Sequence, residues 1–177
     1  FEQAIRHAYF PERDEAQHRA ALGSIFAPFA AAAASAPNRD LSWFPTARDA
    51  AEIATPSAAN RVVTTPYTKY MCAVMDVDQS AAVLMMSVRE ALQLGIDRSR
   101  WVYLHGCADA SEVPLCVSQR RALHRCFAMR DVGRRTAASA NVALSACSHF
   151  DVYSCFPSAV QVACHEMGIA MPQAVQD

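Results

Sequence analysis

The run Ala81-Ala82-Val83-Leu84-Met85-Met86-Ser87 constrains this chain most. It is apolar at every step before Ser87. A run of that length suits a strand covered on both faces, and such strands belong to layered α/β folds. The residues that follow agree. Ser87 is placed to cap a helix, Glu90 completes a capping box, and Gly95 after Leu94 is a stop. Trp101-Val102-Tyr103-Leu104-His105 reads as a second strand, and residues from about Ser118 to Ala140 as a long helix. Phe150 to Tyr153 reads as a third strand, and Ser158 to Met167 as a helix stopped by Gly168. Strands alternating with helices predict the α/β class.

The first 70 residues read differently. Phe1 to about Ala36 is predicted helical; Pro11, Glu12 and Asp14 open a second helix and Pro28 breaks or kinks it. Thr46 to Ile53 is a predicted short helix, with Thr46 as its cap. Val62 to Thr65 is a predicted short strand in an irregular connection punctuated by Pro45, Pro56 and Pro66. Met71, Met75, Met85 and Met86 are expected to fill core space, and Asp76 and Asp78 to form a turn.

Composition excludes several function classes. The 177 residues suffice for one domain with a sizeable core. A formal net charge of −1 gives no reason to expect nucleic acid as a partner. No apolar stretch approaches the roughly 18 residues of a membrane span. No basic segment leads into an apolar one, so no signal peptide is visible and a cytoplasmic location is expected. A chain opening on Phe1 is expected to be a processed product or a piece of something longer. Seven cysteines, an odd number with no CxxC pair, read as reduced and mostly buried thiols. Only five glycines occur, and neither a P-loop nor a GxGxxG fingerprint can be drawn from them.

Two places carry candidate chemistry. His105-Gly106-Cys107-Ala108-Asp109 follows a strand end, where active-site loops lie. A Cys/His pair with a nearby acid suits nucleophilic catalysis, and a structural role is the alternative. The second is the strand-to-helix turn Tyr153-Ser154-Cys155-Phe156. Such a turn aims backbone N–H groups and polar side chains into one crevice. It lacks the GxSxG setting of a hydrolase serine. His149 with Asp151, and His165 with Glu166, do not support a metal site.

Three strings carry a family resemblance. They are Asn60-Arg61-Val62-Val63 leading through Pro66-Tyr67-Thr68-Lys69-Tyr70-Met71 to Met75-Asp76-Val77-Asp78-Gln79-Ser80-Ala81-Ala82, then Trp101 to Ala110, then Asp151 to Gln161. In that order they resemble the thiolase superfamily, and in particular bacterial thiolase-like proteins named acetyl-CoA acetyltransferases. The resemblance implies part of a thiolase-like layered αβαβα fold. Residues 1–70 would be the loop region that contacts coenzyme A. Residues 71–97 would end the first half of that fold, and 98–177 would begin the second.

Thiolases act through a reactive cysteine, with a histidine and a second cysteine as proton carriers, and none of the seven cysteines here matches those positions. The opening turn does match. Cys155 and Phe156 fit the His-Asp-Cys-Phe pattern of sterol-carrier-type members, with Tyr153 and Ser154 replacing its polar pair. The resemblance therefore implies an oxyanion-hole-like role for Tyr153 and Ser154. His105 and Asp109 are candidate substrate contacts from their place after a strand end. Cys72, Ser80 and Gln119 depart from the asparagine, glycine and glutamate common in relatives. The implied function is a thiolase-like acyl-CoA protein in lipid metabolism, with coenzyme A or acyl-CoA as ligand and no turnover by this chain alone. The alternatives are a non-catalytic binding or assembly module on the same scaffold, and a degenerate remnant. Homo-oligomerisation, or a partner chain that completes the fold, is expected.

Overall fold

The computed structural model describes residues 1–171. Helix α1 (Glu2–Tyr9) buries Glu2 and Ile5. Helix α2 (Glu15–Ala34) begins at a capping box: the Asp14 carboxylate accepts from the Gln17 amide at 2.8 Å, and the Gln17 side chain accepts from the Asp14 amide at 2.9 Å. The expected break at Pro28 does not occur, and α2 runs through it. A proline removes one intrahelical bond. Here the turn before it is held by Leu22 and Ile25, both buried against Ile53 and Ala54 of α3 (Ala50–Ala54). Helix α3 starts later than predicted because Asp49, not Thr46, is its cap; its carboxylate accepts from the Glu52 amide at 2.7 Å.

Strands β1 (Val62–Thr64) and β2 (Tyr67–Thr68) form an antiparallel hairpin pairing Val62 with Thr68 and Thr64 with Tyr67. Tyr67 and Met71 join Leu22, Ile25, Ile53 and Ala54 in one apolar cluster. Asn60 ties this region together and is itself buried.

Helix α4 (Val88–Gln93) is capped by Ser87, whose hydroxyl accepts from the Glu90 amide at 3.1 Å, and Gly95 takes a left-handed φ of +64° just beyond it. Helix α5 (Phe127–Ala140) is shorter than the predicted helix from Ser118. The Glu112 carboxylate takes the Ala128 amide at 2.9 Å, and Glu166 takes the Cys126 amide at 3.1 Å, which fixes the helix start there. Helix α6 (Pro157–Met167) has Pro157 in its first turn and ends at Gly168, φ +66°. Between α5 and α6, Glu166 is buried and bonded to Arg125 at 2.5 Å and Arg130 at 2.6 Å.

The three predicted strands are not paired. Residues 81–86, 102–105 and 150–153 make no backbone–backbone hydrogen bond among the described residues. Val83, Leu84 and Met85 are 93%, 86% and 87% exposed, and Val102 is 95% exposed. Met75 and Met85 are therefore surface side chains, and only Met71 of the expected set is buried. A side-chain pattern marks a segment as strand-like, but a strand needs a neighbour to bond. None of the described residues supplies one.

Candidate functional site

The first site is an apolar cavity of about 440 Å³ in the α2–α3 region. Phe26 and Phe29 of α2, Ile53 of α3, Phe44, Tyr70 and Val74 give it apolar walls, and Arg48 and Lys69 add two cations. The Arg48 guanidinium lies 4.2 Å from the Tyr70 ring centroid, a cation–π contact, and its Nε is 3.3 Å from Glu52. Lys69 is exposed and makes no ion pair among the described residues. Cys72 also lines the cavity; burial pushes its thiol up, so it stays protonated.

The turn 153–156 docks at the edge of this cavity. The Ala73 amide donates to the Cys155 carbonyl at 3.0 Å, and Ala73 lies between two cavity residues, Cys72 and Val74. Tyr153 is 84% exposed, with its hydroxyl 3.1 Å from the Cys155 sulfur. The Cys155 sulfur pushes the Tyr153 phenol above its ordinary value, so the phenol keeps its proton and can donate. Ser154 is half-buried, and its hydroxyl donates to the Phe156 carbonyl. The Phe156 ring stacks on Tyr67, with centroids 5.6 Å apart and planes 21° apart.

Behind that stack lies a group that the sequence did not disclose. Glu2 is 5% exposed and accepts three hydrogen bonds. His18 Nε2 lies 2.6 Å from Oε1, the Gln161 amide donates to Oε1 at 2.7 Å, and the Tyr67 hydroxyl donates to Oε2 at 2.5 Å. Burial pushes the Glu2 carboxyl up, but bonds from His18, Tyr67 and Gln161 outweigh it and hold it below its ordinary value. Burial and Glu2 together push the Tyr67 phenol well above its ordinary value. The partners lie 16, 65 and 159 residues from Glu2, so no local motif marks them.

His105 and Asp109 lie elsewhere. Both are exposed, on a segment that runs along α5. Gly106 approaches the Thr136 carbonyl and Ala140 too closely for a side chain, and Arg135 donates to the Asp109 carbonyl at 2.9 Å. Among the described residues, no hydrogen bond joins either side chain to the turn or the cavity. All seven cysteines are free, and none bonds to a histidine. No group of described residues has the make-up of a metal site.

No family model and no curated protein sequence matches the chain. A solved structure does: a monomeric SCP2-thiolase like protein type 1 from Mycobacterium smegmatis, at 36% identity over 96% of this chain, with a TM-score of 0.81. The fold is thiolase-like. The likeness supports the thiolase-like superfamily, and the thiolase-like chain spans 36% of that protein's length. The turn and the cavity are thus parts of a thiolase-like scaffold, and no helix among the described residues is long and apolar enough to cross a membrane.

Proposed function

We propose that this chain supplies an acyl-CoA-binding wall to a thiolase-like protein. The cavity carries the reading. Its aromatic walls suit a pantetheine or acyl chain, and Arg48 and Lys69 suit the phosphates of coenzyme A. In this reading residues 1–70 are the CoA-contact region, 71–97 close the first thiolase-like half and 98–177 open the second. Tyr153 is the hydrogen-bond donor to the thioester oxygen, since the Ser154 hydroxyl is committed to Phe156. His105 and Asp109 are substrate contacts of the whole protein, which would be acetyl-CoA acetyltransferase-like, act in lipid metabolism and lie in the cytoplasm.

Titration calorimetry with coenzyme A and acetyl-CoA tests this. Binding is expected, and Lys69→Ala and Arg48→Ala each weaken it about tenfold, the weight of one charge-assisted hydrogen bond. No heat of binding in a folded sample overturns the reading. Turnover of acetoacetyl-CoA by this chain is expected at background, because no cysteine bonds to a histidine among the described residues, and Cys126, whose thiol meets the Glu112 carboxylate, is held protonated by burial.

A second reading has its own observation. The exposed apolar runs at 81–86 and 102–104 suit a binding or assembly module that docks a partner. Absence of CoA binding together with a stable complex in light scattering would favour it.

A further inference from the structure

We propose that Glu2 is a positioning residue for the turn 153–156. It holds the turn against the cavity through Tyr67 and Gln161. The proposal deepens the acyl-CoA reading, on which it rests only for what the turn meets.

The geometry runs in two arms from one carboxylate. Oε2 accepts from the Tyr67 hydroxyl, and that ring is stacked on Phe156, the last residue of the turn. Oε1 accepts from Gln161, which lies four residues after Pro157 and so one helical turn into α6. One arm fixes the ring beside the turn, and the other fixes the helix the turn opens. His18 braces the carboxylate from α2. On the opposite side the Ala73–Cys155 backbone bond ties the turn to the cavity edge. The Ser154–Phe156 bond closes the turn on itself, so it moves as a unit.

Glu2 is not among the cavity-lining residues, so it acts through Tyr67 and Gln161 and not on a ligand. An ionised carboxylate accepts all three bonds; an amide in its place turns donor hydrogens toward at least one of them.

Cys155 is an exposed thiol inside the turn and reports its position. The test maps iodoacetamide alkylation by mass spectrometry in the full chain, with exposed Cys107 and Cys147 as internal controls. Glu2→Gln is expected to raise the Cys155 rate about fivefold, the weight of one hydrogen bond, and to leave both controls unchanged. Tyr67→Phe, which keeps the stacked ring, moves Cys155 in the same direction and carries the test if Glu2→Gln does not fold. An unchanged Cys155 rate in a folded variant overturns the proposal. So does an equal rise at all three cysteines, which marks general loosening. Coenzyme A titration of the unsubstituted chain runs beside it. Failure to bind sinks the acyl-CoA reading alone, and the alkylation result still decides the role of Glu2.

Discussion

Asn60 donates its amide toward the carbonyls of Glu52, Ile53 and Thr55 at 3.1, 2.9 and 3.1 Å, and accepts from the Tyr70 amide at 2.9 Å. Those carbonyls are the open end of α3, so one side chain closes the helix and ties it to the segment after β2. Asn60→Ala leaves these groups buried without partners. The expected cost is about 2–4 kcal/mol, read as a drop in urea midpoint. Glu2 gives a second prediction. Its folded pKa lies below its ordinary value of 4.5. Its contribution is thus fully present above that ordinary value and lost as pH falls through the lower folded value. Stability measured against pH is expected to fall on this acid limb, and Glu2→Gln is expected to flatten it. These residues also show what a sequence discloses. Ser87, Gly95 and Gly168 were legible because a cap or a left-handed stop is a local requirement. Glu2 reads as an ordinary acid early in a helix, since every partner that buries it lies far along the chain.

Helix α2 packs on α3, its near neighbour in sequence, while α1 packs on α6 from the far end of the chain. Helix α2 meets α3 through Gly23, where an added Cβ would collide with the Ala50 carbonyl. The two backbones approach so closely because glycine leaves the space open. Gly23→Ala is expected to destabilise the chain by about 1–3 kcal/mol despite alanine's better helix propensity, and thermal unfolding reads it. The sign is the test, because a stabilised variant would mean the helices can separate freely. The hairpin β1–β2 forms at the strand predicted over Val62 to Thr65, since Tyr67 and Thr68 lie within reach to pair. The predicted strands at 81–86, 102–105 and 150–153 have the right residues and no described neighbour. The turn 153–156 was legible as a site candidate from its strand-to-helix pattern. Its docking on Ala73 was not, because that bond joins residues nearly half the chain apart.

The whole molecule combines a packed region with segments that water does not favour. The core of α2, α3 and the hairpin is apolar and buried. Val83, Leu84, Met85, Val102 and Leu104 stand outside it, more than two-thirds exposed. Each such side chain costs roughly 1.5–3 kcal/mol relative to burial. Their backbones also lack ladder partners among the described residues, so the same segments present free N–H and C=O groups. The thiolase-like protein it resembles is longer, with this chain spanning 36% of it, and is named as monomeric. A longer chain can cover such segments within itself, whereas these residues stand exposed here. The isolated chain is therefore expected to self-associate at micromolar concentration and to bind an apolar dye. Replacing Val83 and Leu84 together by lysine puts charge on the open edge and should reduce both signals. The core is untouched by that change, so the unfolding midpoint should stay within about 0.5 kcal/mol of the original. Light scattering that finds a clean monomer without dye binding would show that these residues are covered by this chain itself.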